Sequence, residues 1–193
     1  LQWGVIGKAF EKGLCSFECV DPRGFTSDVH RTVDDRPFGG GDGMVMLYEP
    51  LAKSIESIAN YKTAKKIYLS PRGRLLNENL VEELSQESDL ILLSGRYGGV
   101  DQRVLTNYDF EEVSVGDYVV SGGELPSLIL MDALMRKVPG VLGNNESPIE
   151  DSFAGGKGFE APLFTRPQEN EAGKVPDVLL SGDHKKIKEF REK

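Results

Sequence analysis

Glycine is the residue type whose placement first suggests chemistry. It clusters in three places: Gly39, Gly40, Gly41 and Gly43 in FGGGDGM, Gly95, Gly98 and Gly99 in SGRYGGVD, and Gly116, Gly122 and Gly123 in VGDYVVSGGELP. Lacking a Cβ, successive glycines let backbone N–H groups approach a ligand closely and make positive φ accessible. Two of the clusters follow predicted strands directly, where open α/β sheets hold their ligands. Tight turns use the same residues, so both uses stay open at this point. The ordinary nucleotide fingerprints are absent. Met44 stands where a G-x-G-x-x-G starting at Gly39 needs its last glycine, and no G-x-x-x-x-G-K-[ST] occurs, which disfavours dinucleotides and ATP.

Two charged side chains are candidates for a reaction. Asp151 falls in the irregular run Ile149-Glu150-Asp151-Ser152-Phe153, where a loop could carry its carboxylate over a site, or where it could cap a turn. Arg136, in the last turn of a predicted helix, could hold developing negative charge. It could equally pair with Asp132 at i,i+4 and with the helix C-terminus. Cys15, Cys19 and His30 lack the fourth ligand that a structural zinc site needs, so the cysteines read as packing or surface residues. His184 reads as a helix-start residue. With two histidines and no G-x-S-x-G, a hydrolytic triad is disfavoured.

The elements that must position these residues alternate between strand-like and helical patterns. Val45 to Tyr48 reads as a strand, and Pro50 opens a helix with Leu51, Ile55, Ile58 and Ala59 on one face. Ile67 to Leu69 reads as a short strand closed by Ser70, Pro71 and Gly73, before a helix lined by Leu76, Leu80, Val81 and Leu84. Leu90 to Leu93 suits a strand buried on both faces. Val113 to Val120 is a strand and turn. A helix then runs from Glu124 to Lys137, apolar nearly all round and therefore destined for a core or a subunit interface. The alternation predicts an α/β fold with a parallel sheet. From Leu142 to Pro167 the periodicity fails, as in a linker or a functional lid.

Composition bounds the partners. The 193 residues are 39% hydrophobic and 28% charged, within the globular range, and the apolar run Leu125 to Met135 is broken by Pro126, Ser127 and Asp132, unlike a membrane span. Two cysteines and no leader-like opening predict a cytoplasmic location. With 23 Lys and Arg against 31 Asp and Glu the net charge is −8, so a polyanion needs a local basic patch. His184 to Lys193 supplies one around Ile187 and Phe190, and its helical pattern predicts a chain that continues further.

Taken in order, the runs His30 to Gly41 (HRTVDDRPFGGG), Tyr68 to Pro71 (YLSP), Gly95 to Tyr97 (GRY), Val115 to Pro126 (VGDYVVSGGELP), Pro139 to Gly143 (PGVLG), Glu150 to Phe153 (EDSF), Thr165 to Pro167 (TRP) and Leu180 to Gly182 (LSG) resemble the bacterial tRNA (guanine-N1)-methyltransferase family over essentially the whole chain. The resemblance implies a knotted (deep trefoil) α/β methyltransferase domain of the SPOUT class that works as a homodimer with sites at the subunit interface. It implies transfer from S-adenosylmethionine to N1 of the guanosine 3′ of the tRNA anticodon, which guards the reading frame. By motif position Tyr68, Leu69, Pro71, Gly95, Gly99, Val115, Gly116, Asp117, Tyr118, Val119, Val120, Gly122, Gly123 and Pro126 form the cofactor site. Asp151 matches the family's general base and Arg136 its electrostatic stabiliser. The implied organisation is a cofactor-binding domain over 1–142, a linker over 143–167 carrying Asp151, and the start of a helical tRNA-binding domain over 168–193.

The chain departs from the family pattern in four places. GRY usually continues Glu-Gly but here reads Gly98-Gly99, removing a carboxylate linked to catalysis or magnesium and leaving a magnesium role open. Asp42 replaces the usual proline after the GGG run. The hydrophobic strand and Phe-Pro turn that precede the region of Trp3 and Gly4 in relatives are not in this sequence, nor are the helices that follow the region of Lys193.

Overall fold

The computed structural model describes residues 4–142, 152–153 and 158–191. They fall into two compact units, one within Leu1–Gly143 and the other within Asn144–Lys193.

The first unit is built on a three-stranded parallel sheet of β3 (Lys65–Leu75), β4 (Leu90–Leu93) and β5 (Glu111–Ser114), with β3 in the centre. Tyr68 sits beside Leu93 of β4 and Glu112 of β5. Alternating side chains feed two cores. Ile67, Leu69 and Val113 pack with Leu80, Val81 and Leu84 of α3 (Glu78–Leu84) and Leu130 and Leu134 of α5 (Glu124–Met135). Tyr68 packs on the other face with Leu51 and Ile55 of α2 (Tyr48–Glu56) and Val104 and Leu105 of α4 (Gln102–Asn107). The expected α/β class with a parallel sheet is the observed one.

The remaining elements of this unit are α1 (Gly4–Glu11), a 3-10 turn at Pro22–Phe25, and the antiparallel pair β1 (Asp34–Asp35) and β2 (Val45–Met46). Polar side chains set the helix starts. Asn77 accepts from the Leu80 amide at 3.0 Å ahead of α3, and Asp101 accepts from the Arg103 amide at 2.9 Å ahead of α4. Lys137 ties the end of α5 to Glu78 at the start of α3.

Several boundaries differ from the sequence reading: α2 ends at Glu56, short of Ile58 and Ala59, α3 begins at Glu78, after Leu76, β5 covers Glu111–Ser114, and α5 ends at Met135. Two further differences have a plain physical cause. Pro50 lies inside the first turn of α2, which begins at Tyr48, so the strand before it shortens to Val45–Met46. Ser70-Pro71-Gly73 also does not end the central strand. Val113 pairs with Leu69 and again with Arg74, so residues 70–73 bulge out and the chain rejoins the same partner. Gly73 permits this, because a Cβ there would lie 2.3 Å from the Glu112 carbonyl carbon.

In the second unit β6 (Glu169–Asn170) and β7 (Gly173–Lys174) form a small hairpin, followed by α6 (Asp177–Leu180) and α7 (His184–Arg191). The Asp183 carboxylate accepts from the amides of Lys185 and Lys186 and caps α7, so His184 is a helix-start residue as expected. No helix among the described residues is long and apolar enough to cross a membrane.

Leu80 is fully buried between the sheet and α5, so Leu80→Ala removes atoms that nothing nearby replaces. A loss of about 2–5 kcal/mol in urea-unfolding free energy is expected.

Candidate active site

The sheet aims its carboxyl ends at the loops that carry the second and third glycine clusters. Residues 94–101 leave β4 and residues 115–123 leave β5, before the chain enters α5. These two loops are stitched together at one point, where the Gly123 amide donates to the Gly95 carbonyl at 2.8 Å. A Cβ on Gly123 would stand 2.7 Å from Ser94 Cα and 2.9 Å from the Gly95 nitrogen. Only glycine lets the two main chains pass this closely. Beside the crossing, Ser94 Oγ and Ser127 Oγ share a hydrogen bond of 2.8 Å, and Pro126 is buried in the first turn of α5.

Tyr68 forms the floor. Its ring lies under the 94–99 loop so closely that a Cβ on Gly95 would be 2.9 Å from its hydroxyl and one on Gly99 3.3 Å away. Burial, reinforced by the Glu112 carboxylate, raises the Tyr68 pKa above the ordinary tyrosine value, with Arg72 and the Val100 amide acting in the opposite sense. The hydroxyl is therefore neutral and available for hydrogen bonding at physiological pH.

The 115–120 turn is held by its own residues. Ser114 Oγ accepts from the Gly116 amide at 3.2 Å, and the Tyr118 ring folds back so that its hydroxyl donates to the Val115 carbonyl at 3.3 Å. Asp117, Tyr118, Val119 and Val120 are exposed. Among the described residues the amides of Val119, Val120 and Gly122 donate to no backbone carbonyl, so they remain free for a ligand's acceptors. Over Gly122, Arg96 and Glu124 form an ion pair at 2.6 Å that links the two loops on their solvent side.

Most of the expected cofactor residues are thus gathered at one end of the sheet. Leu69 is the exception in kind: its side chain belongs to the core with Leu80 and Val113, so only its backbone faces the loops. Pro71 is exposed in the bulge of β3. Arg136 closes α5 at the opposite end from Gly123, half-buried, with its amide bonded to the Asp132 carbonyl at 3.2 Å. Asp151 lies outside the described residues. The sequence reading passed over Arg96, Glu124, Ser94 and Ser127, although Arg96 and Glu124 stand inside the GRY and GGELP runs.

A family model for tRNA (guanine-1)-methyltransferase matches residues 1–193. The chain belongs to this family. It is 51% identical to the tRNA (guanine-N1)-methyltransferase of Salmonella schwarzengrund over all of its own length and 76% of that protein's. It is 50% identical to the protein of that name from Pseudoalteromonas atlantica, covering 73% of it, and 49% identical to that from Vibrio vulnificus, covering 78%. Membership in a methyltransferase family implies a methyl donor, and the backbone cradle around Tyr68, Gly95 and Gly123 suits a compact polar ligand held largely by main-chain groups.

Gly123→Ala presses a methyl group into the backbone of Ser94, so a loss of about 1–3 kcal/mol of unfolding free energy is expected. Gly24→Ala, whose Cβ meets nothing within 4 Å, is the control and is expected to change stability by less than about 0.5 kcal/mol.

Proposed function

We propose that this chain transfers a methyl group from S-adenosylmethionine to N1 of the guanosine immediately 3′ of a tRNA anticodon, in the cytoplasm, and so protects the reading frame. The observation that supports it best is the glycine-built meeting of the 94–99 and 115–123 loops over Tyr68, in a chain of a family named for guanine-N1 methylation.

The donor would rest against the backbone of Tyr68, Leu69 and Pro71 in the central strand β3 and its bulge, and against Gly95 and Gly99. The turn from Val115 through Gly116, Asp117, Tyr118, Val119 and Val120 to Gly122, Gly123 and Pro126 completes the cradle. When bound, S-adenosylmethionine supplies an electrophilic methyl group on a sulfonium. The protein's part is proton and charge management. Guanine N1–H is a weak acid, so a base must remove the proton and a cation must hold the charge that develops on O6. Asp151 takes the proton in this reading, and Arg136 holds the O6 charge. Gly98 offers no carboxylate of its own, and a role for magnesium stays open in this reading.

The position of Arg136 favours a homodimer. At about 1.5 Å per residue the helix carries it about 20 Å from Gly123, beyond the reach of an arginine side chain. Arg136 would therefore serve the cradle of a second copy. α5 presents Leu125, Leu128 and Ile129 to solvent, next in sequence to a turn where Val119 is 85% exposed. Such an apolar patch suits an interface with that copy. The close passage of Gly123 by Ser94 is also the contact that a trefoil-knotted path needs. In the same reading 1–142 binds the donor, 143–167 links and carries Asp151, and 168–193 with its basic α7 opens a tRNA-binding domain.

The primary test is tritiated methyl transfer to an unmodified tRNA transcript, beside one with the target guanosine changed to adenosine. Transfer to the first alone is expected, and equal transfer to both overturns the reading. Asp151→Asn is expected to lower kcat about 100- to 10,000-fold while the dissociation constant for S-adenosylmethionine stays unchanged. Loss of cofactor binding along with activity would remove the role assigned to Asp151. Ile129→Asp is expected to shift sedimentation from dimer to monomer and to abolish transfer.

A further inference from the structure

The first glycine cluster lies outside the loops that form the cradle. Gly39, Gly40, Gly41 and Gly43 all hold positive φ, at 88°, 83°, 114° and 90°, in the turn that joins β1 to β2. Residues 39–43 are exposed, and a Cβ built on any of these four glycines meets nothing within 4 Å. Asp42 stands among them, on a stretch of backbone that no packed neighbour holds in place.

Asp42-Gly43 is the one Asp-Gly step in the sequence, and no Asn-Gly occurs. An aspartate followed by glycine carries its own electrophile and nucleophile, because the Gly43 nitrogen can close a five-membered ring on Asp42 Cγ. A Cβ on the following residue hinders that closure, and glycine has none.

In a folded chain the reaction is restrained when the attacking amide is bonded to an acceptor or the carboxylate is held by a donor. Among the described residues neither restraint exists here. The Gly43 amide donates to no acceptor in the chain, and the Asp42 carboxylate accepts no hydrogen bond and pairs with no cation. Other aspartates are held. Asp28 accepts from Thr32, Asp101 from Arg103, and Asp183 from Lys185 and Lys186, and the residue that follows each of them has a side chain.

We infer that Asp42-Gly43 is a site of spontaneous backbone isomerisation in the folded chain, and that its product is a substrate for a carboxyl-methylating repair enzyme of the isoaspartyl class. The Gly43 nitrogen attacks Asp42 Cγ, an N–C bond forms and a Cγ–O bond breaks. The departing hydroxyl leaves with the amide proton as water, and a cyclic succinimide remains. Water then adds back at either imide carbonyl. Opening at Cγ restores the original chain, whereas opening at the main-chain carbonyl leaves the backbone running through Cγ, with a free α-carboxylate. Composition and mass are unchanged, and no oxidant or metal takes part.

The isomer carries one more backbone atom, Asp42 Cβ, in a loop with open space around it. The chain beyond stays anchored, because the Gly98 amide donates to the Met44 carbonyl at 2.8 Å. The modified protein therefore keeps its fold.

The test incubates the full chain at neutral pH and physiological temperature and follows isoaspartate in its tryptic peptides. These are labelled by an isoaspartyl-specific carboxyl methyltransferase with tritiated S-adenosylmethionine, so this chain's own donor site plays no part. Label is expected to grow with time in the peptide Thr32–Lys53, with electron-transfer fragmentation placing the linkage at Asp42 and not at Asp34 or Asp35. The rate is expected to lie within about tenfold of that in the same peptide free in solution, because an unrestrained loop opens at little free-energy cost. Asp42→Glu, which would need a six-membered ring, is expected to lose the label while its urea-unfolding midpoint and sedimentation stay as in wild type.

A rate in the native chain more than about tenfold below that of the free peptide overturns the inference, since the fold would then shield the step. So does label confined to unfolded or aggregated protein, label that appears first at another aspartate, or label that persists in Asp42→Glu.

Discussion

The contact on which the rest of the architecture depends is the hydrogen bond from the Gly123 amide to the Gly95 carbonyl, made where no Cβ fits between the two chains. It joins the end of β4 to the start of α5 and so sets where α5 lies on the sheet. Leu130 and Leu134 then reach Leu80, Val81 and Val113, and the core on that face closes. The same contact brings the 94–99 and 115–123 loops over Tyr68. Fold and candidate site are therefore consequences of one close approach, and a side chain at position 123 would disturb both.

The other face of the sheet is organised by a second backbone seam. β2 contributes only two residues, yet it is held against 98–101 by bonds from Gly98 to Met44, from Met46 to Gly99 and from Asp101 to Met46. Gly98 donates to Met44 at 2.8 Å, and a Cβ at this position would come 3.0 Å from the Met44 carbonyl oxygen. A larger residue there needs a small retreat of β2, so glycine at this position keeps the seam tight.

α5 shows why a helix with little polar face can be stable in one chain and still unfinished. Its Leu130, Met131, Leu134 and Met135 are buried within the first unit, while Leu125, Leu128 and Ile129 remain in water. Burying that remainder against a second copy would add hydrophobic free energy at about 25 cal/mol per Å².

Much of this was legible in the sequence. The strand Leu90–Leu93, the helix from Glu124, the α/β alternation and the glycine clusters after strands all follow from period and residue type, which act locally, whereas the burial expected on both faces of Leu90–Leu93 is not observed, because β4 lies at the sheet edge and its four residues are half-buried. Other features were not legible, because distant segments decide them. β3 continues through Pro71 and Gly73 only because β5 accepts it on both sides of a bulge, and α4 and β1 are too short to announce themselves. The sequence by itself determined which segments are strands and helices and where the backbone is bare enough to approach a ligand. The tertiary structure decided which bare segments meet and how far Arg136 stands from them, because closeness in space depends on the sheet order β4-β3-β5 and not on spacing along the chain.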